Sequence, residues 1–152
     1  MKVAIDSNVL VYAVQRDDVR AIMADDIIRR FEAADICLSV QAIGELLKVV
    51  RRKYPDHLKE AMIAVSIWSA LYPIEDTLLE DVTSALELAE RHRIQYWDAV
   101  ILAVSARAGA KALLTEDMQD GATIAGVRLV NPFDPANREL VDALLTPLPG
   151  TA

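Results

Sequence analysis

Residues 3–13 read Val-Ala-Ile-Asp-Ser-Asn-Val-Leu-Val-Tyr-Ala, and the fold turns on how this stretch is read. Val3–Ile5 has the composition of a short buried strand. An acid and an amide, Asp6 and Asn8, then interrupt an otherwise apolar run. A carboxylate buried without a partner is expensive. Asp-Ser-Asn at a strand exit therefore marks a turn or helix cap, or a place where the chain holds something charged. The residues after it, 8–14, read as a helical turn and loop.

Outward from this strand, short apolar segments alternate with helical ones. "ICLS" (36–39), "YPI" (72–74), "KALLT" (111–115) and "RLV" (128–130) are strand candidates. Helical spacing covers 17–34, through Val19, Ile22, Met23, Ile27 and Phe31, and also 40–54, which ends before Pro55. Further helices are expected at 56–71 with Asp56 as N-cap, at 76–92, at 97–108 ending at Gly109, and at 134–145 with Pro135 in its first turn. Tyr96 and Trp97 read as packing residues. This alternation predicts an α/β three-layer sandwich with a parallel sheet of roughly five strands. We expect one domain at 1–146 and a tail at 147–152. Ligands of such sheets bind beyond the carboxyl ends of the strands.

The totals narrow the chemistry. The chain has 152 residues, enough for one core, and a formal net charge of −7 from 16 basic and 23 acidic residues. That balance argues against a sequence-independent nucleic-acid coat but not against an enzyme that holds phosphate through metal ions. No apolar run reaches the roughly 18 residues of a membrane span, and no signal peptide is read at the N-terminus. Cys37 is the only cysteine, which excludes an internal disulfide and points to a cytoplasmic setting. With one Cys and two His, a bound metal would have oxygen ligands, which favours Mg²⁺ or Mn²⁺.

Four acids fall where such a site would form. Asp6 ends the first strand, Glu45 lies inside the helix after "ICLS", Asp98 begins the apolar helix "WDAVILAVSARA", and Asp117 follows "KALLT". Each also has a plain structural reading: a turn or N-cap for Asp6, a helix-boundary pair for Glu45, a first-turn acid for Asp98, a polar loop for Asp117. Gly44, costly inside a helix, suggests a close backbone approach beside Glu45. Several carboxylates within about 5 Å raise one another's pKa, and a divalent cation removes that penalty. Asn8 adds an oxygen ligand or a hydrogen bond to bound water.

"AIDSNVLVYA", "SVQAIGELLKVV", "YWDAVILAVSARAGA" and "LLTEDMQDG" occur in the order and spacing of the PIN domain. The chain resembles in particular the VapC-type toxins of bacterial toxin–antitoxin pairs, from Val3 to about Phe133. The resemblance implies an Mg²⁺- or Mn²⁺-dependent endoribonuclease with a parallel five-stranded sheet. It places the family's metal-binding catalytic acids on Asp6, Glu45, Asp98 and Asp117, and its supporting polar positions on Asn8 and Thr115. It further implies an RNA substrate, a homodimer and a small cognate antitoxin. Met23, Ile28, Met62, Ile67 and Trp68 are candidates for the surface that a partner covers. Arg51–Lys53 and Arg91–Arg93 read equally as solvated helix ends or as RNA contacts.

Other readings remain open on the residues alone. A haloacid-dehalogenase-like phosphatase also places Asp after its first strand, but needs a second Asp where this chain has Asn8. A housekeeping PIN nuclease would lack an antitoxin. A non-catalytic α/β binding module would use the acids only as caps.

Overall fold

The computed structural model describes residues 1–147, so all but the first residue of the expected tail lies outside the described residues. Six strands form one sheet: β1 (Val3–Ile5), β2 (Ile36–Ser39), β3 (Ile74–Glu75), β4 (Ala112–Leu114), β5 (Thr123–Ile124) and β6 (Val127–Val130). Their order is β3-β2-β1-β4-β6-β5. Five are parallel, and β5 pairs antiparallel with β6 at the edge. The expected α/β architecture is therefore present, with one strand more than the sequence suggested. β5 is two residues long, turned onto β6 through Ala125 and Gly126 at positive φ, and too short to carry a periodic signal.

The helices are α1 (Ser7–Gln15), α2 (Ala21–Arg29), α3 (Val40–Lys53), α4 (Leu58–Leu71), α5 (Leu79–His92), α6 (Tyr96–Arg107) and α7 (Arg138–Leu144). Period-two alternation along the strands divides the core. Val3, Ile5, Ile36, Leu38, Ala112 and Leu114 face one side, where residues of α1, α2, α3, α4 and α7 cover them. Ala4, Cys37, Leu113 and Leu129 face the other, with Ile101 and Leu102 of α6, and α5 packs on α6 behind them. None of these helices is long and apolar enough to cross a membrane.

Several expectations need correction. Residues 7–15 are a full helix, because Asp6 caps it by accepting the Ser7 backbone N–H at 2.6 Å. α2 starts only at Ala21, so the face it buries is Ala21, Ala24 and Ile27, with Phe31 beyond its end, while Val19 and Ile22 are 83% and 79% exposed. Asp56 lies in a 3₁₀ turn (Pro55–His57) rather than capping α4. Pro135 lies in a second one (Pro135–Asn137) preceding α7. Trp68 is buried against Phe31, and Met23 and Ile28 are half-buried against the same core. Met62 and Ile67 are exposed as expected.

Candidate metal centre

Two adjacent parallel strands deliver the first site residues side by side. Ile5 pairs with Leu114, and the Asp6 backbone N–H donates to the Leu114 carbonyl at 3.0 Å. The next residues, Asp6 and Thr115, thus leave the sheet together at its carboxyl edge. Both are fully buried. The Thr115 hydroxyl donates to Asp6 Oδ2 at 2.7 Å, so both oxygens of Asp6 are held, one by Ser7 and one by Thr115.

Glu45 arrives from the second turn of α3, whose N-cap Ser39 ends β2 and accepts the Ala42 N–H at 3.0 Å. The Ser7 hydroxyl donates to Glu45 Oε2 at 3.0 Å and lies 3.3 Å from Asp6 Oδ1. Gln41, one turn back, donates to Glu45 Oε1 at 3.1 Å. Asp98 projects from the first turn of α6 and is 8% exposed. Carboxylate oxygens of Asp6, Glu45 and Asp98 all lie within 4.8 Å of one another.

Asp117 is not in that trio. It is exposed on the loop after β4, linked to the trio through Asn8, whose Nδ2 donates to Asp117 Oδ2 at 3.0 Å. The same Nδ2 lies 3.4 Å from Asp6 Oδ2 and 3.5 Å from Thr115 Oγ1. Asn8 thus turns its donor toward the acids. Its Oδ1 is buried without a partner among the described residues.

The electrostatics separate this cluster from an ordinary buried acid. Asp81 is also buried, but Arg107 holds it with contacts of 3.0 and 3.1 Å. No Lys or Arg pairs with Asp6, Glu45, Asp98 or Asp117 among the described residues. Burial pushes the Asp6 carboxyl up to about 6, against the opposing hydrogen bonds of Thr115 and Ser7 and with help from the charges of Asp117 and Glu45. Burial, then the charges of Asp6, Asp117 and Glu45, pushes Asp98 up to about 7. An oxygen-only donor set that resists its own ionisation fits a hard divalent cation such as Mg²⁺ or Mn²⁺.

Sequence reasoning missed Ser7 and Gln41, which orient Glu45. It also missed a brace on the Asp117 loop: the Tyr12 hydroxyl donates to Glu116, and Arg20 pairs with Glu116 at 3.2 Å while lying 5.1 Å over the Tyr12 ring. The i, i+4 spacing of Gln41 and Glu45 was a usable signal, whereas the brace joins distant segments and had none. The close approach expected at Gly44 is absent, since a Cβ added there would meet nothing within 4 Å. Tyr96 packs as expected, with its hydroxyl on the Val82 carbonyl at 2.8 Å. Trp97 beside it is 50% exposed.

Solved structures of similar fold include toxins and toxin–antitoxin complexes. One is the VapC20 toxin of Mycobacterium tuberculosis, described as cleaving the sarcin–ricin loop: 18% identity, TM-score 0.63, covering 73% of this chain and 86% of that one. A toxin–antitoxin complex from Klebsiella pneumoniae matches at 19% identity and TM-score 0.63, over 86% and 98% of the two chains. VapBC2 of Rickettsia felis, bound to a promoter DNA fragment, matches at 17% and 0.62, over 85% and 97%. No curated protein matches the sequence. The PIN-domain family model matches residues 3–119, which include Asp6, Glu45, Asp98 and Asp117, and on that match the chain belongs to the PIN-domain family.

Proposed function

We propose that this protein is a divalent-metal-dependent endoribonuclease and the toxin of a toxin–antitoxin pair. One observation carries the reading: in a PIN-family chain, Asp6, Glu45 and Asp98 converge within 4.8 Å at the carboxyl edge of the sheet, and no Lys or Arg pairs with them among the described residues. These three acids would hold Mg²⁺ or Mn²⁺, with Asp117 as a fourth carboxylate at the open rim. The ion, when bound, supplies positive charge for a phosphodiester under attack and an activated water.

The chain's own residues do the positioning. Thr115 and Ser7 fix both oxygens of Asp6, Gln41 and Ser7 fix both oxygens of Glu45, and Asn8 tethers Asp117. Asp98 receives no hydrogen bond among the described residues and keeps its oxygens free for a ligand. Carboxylates held this way need little reorganisation when the site fills.

Under this reading the protein acts in the cytoplasm as a homodimer, and a small antitoxin silences it. Support comes from the toxin–antitoxin complexes among the similar folds and from exposed apolar residues on α4 outside the wall shared with α3, Ile63, Ile67 and Leu71. An amphipathic antitoxin helix could bury them. The test is to induce the protein alone in cells and map new RNA 5′ ends, beside Glu45→Gln. The reading expects discrete new ends and arrested growth with the parent only. Identical end maps would overturn the nuclease, and new ends without arrest would assign a housekeeping enzyme.

A further inference from the structure

The chain is acidic overall, yet its cations are unevenly spent. Arg20, Arg29, Arg30, Arg91, Arg107 and Arg138 are engaged in ion pairs, whereas the other ten of the 16 Lys and Arg make none among the described residues, and Lys48, Arg51 and Arg52 are three exposed members of that group. These three line one groove of about 510 Å³ between α3 and α4, whose apolar wall is Leu47, Leu58 and Met62.

None of the four acids lines the groove, but two of its cations share a helix face with Glu45. At about 100° per residue, Gln41, Lys48 and Arg52 all fall within about 60° of Glu45 around the α3 axis. They form one polar stripe that starts at the carboxylates. At about 1.5 Å rise per residue, Lys48 lies about 4.5 Å and Arg52 about 10.5 Å along the axis from Glu45. A stacked strand advances about 3.4 Å per nucleotide, so the stripe spans about three nucleotides. Helix C-termini favour cations, which accounts for Arg51 and Arg52 near the end of α3. It does not account for Lys48, mid-helix and one turn from an acid cluster.

We propose that this groove is the track by which single-stranded RNA reaches the carboxylate centre. Lys48, Arg51 and Arg52 take successive phosphates, and Leu47, Leu58 and Met62 lie against ribose and base. The identity of the polymer rests on the nuclease reading above. The arrangement answers a difficulty of that reading, since a chain of net charge −7 with four acids at its centre repels RNA unless cations are gathered on the approach.

The experiment measures binding of a fluorescent single-stranded RNA against salt in an Asp98→Asn background, with Mg²⁺ present. It compares that parent with Lys48→Gln/Arg51→Gln/Arg52→Gln and with the charge-preserving Arg51→Lys/Arg52→Lys. Each single-strand phosphate contact contributes about −0.7 to the slope of log K against log salt. The triple neutral variant should therefore flatten the slope by about 2, and the lysine variant should keep it. With the active enzyme, the same neutral changes should raise KM on long RNA about tenfold or more and leave kcat unchanged. An unchanged slope, or a loss equally severe in the lysine variant, would overturn the track. So would loss of binding to a polyglutamate peptide with RNA binding intact, which would reassign the groove to an acidic protein segment. Cleavage by the enzyme with native Asp98 is scored separately, so a failed track and a failed nuclease give different results.

Discussion

Asp98→Asn should stabilise the metal-free protein at pH 8 and abolish its response to metal. The carboxyl of Asp98 is pushed from 3.8 up to about 7, first by burial and then by the charges of Asp6, Asp117 and Glu45. In the unfolded chain it ionises near the ordinary value of about 3.9. A raised folded-state value means that stability is fully present below about pH 4 and is lost as pH rises through about 7. At about 1.4 kcal/mol per pH unit, the full cost of ionisation above pH 7 is about 4 kcal/mol. Water reaches the open rim of the cluster and screens the charge, which brings the expected cost to about 2 kcal/mol. Asparagine keeps the shape and removes the charge. The favourable pairing of Asp98 with the α6 dipole, about 0.3–1 kcal/mol, is lost but is the smaller effect. In EDTA at pH 8 the variant should gain about 1–2 kcal/mol, or about 2–8 °C in Tm, and the gap should narrow toward pH 5. With Mn²⁺ at 100 times its Kd the parent should gain about 2.7 kcal/mol and the variant almost nothing, so their order reverses. Thermal unfolding by circular dichroism in the four conditions suffices. A variant that is no more stable than its parent at pH 8 in EDTA would refute the argument that these acids strain the fold.

Three further outcomes follow from particular residues. Gly44→Ala should raise stability by about 1 kcal/mol, because Gly44 is helical and exposed, and an added Cβ meets nothing within 4 Å; a fall in denaturation midpoint would contradict this. Cleavage and metal-induced stabilisation should both decline as pH drops from 8 to 5, as Asp6 near 6 and Asp98 near 7 take up protons as one coupled group; a flat profile would count against carboxylate ligation. Glu116→Gln should weaken the brace to Tyr12 and Arg20 by about 0.5–1.5 kcal/mol and raise the metal concentration needed for half-maximal activity, while an unchanged metal requirement would make the brace purely structural.

The strand exits were legible because Asp6 and Asp117 each follow an apolar run, and Glu45 and Asp98 interrupt helices that are otherwise patterned for burial. Their convergence follows from the parallel sheet, which brings consecutive strand ends to one edge. The difference between Asp117 and the trio was not legible. It depends on the loop after β4 turning outward, with the Asp117 N–H on Thr115 Oγ1 at 3.2 Å. Nor was the role of Gly44, for which a buried crossing and an open helix face give the same local pattern. α1 was underread because its cap and the candidate ligand are the same residue, Asp6. The start of α2 was misplaced because Val19 and Ile22 mimic a buried face. β5 gains its meaning only by pairing with β6.

The most direct test of the central claim is cleavage of a single-stranded RNA by the purified protein as Mn²⁺ is titrated in, beside Asp6→Asn. The account expects no cleavage in EDTA, saturable cleavage with Mn²⁺ in the parent, and a loss of at least about 100-fold in the variant, whose far-ultraviolet circular dichroism matches the parent's. Cleavage that survives EDTA, or that Asp6→Asn performs as well as the parent, would contradict it.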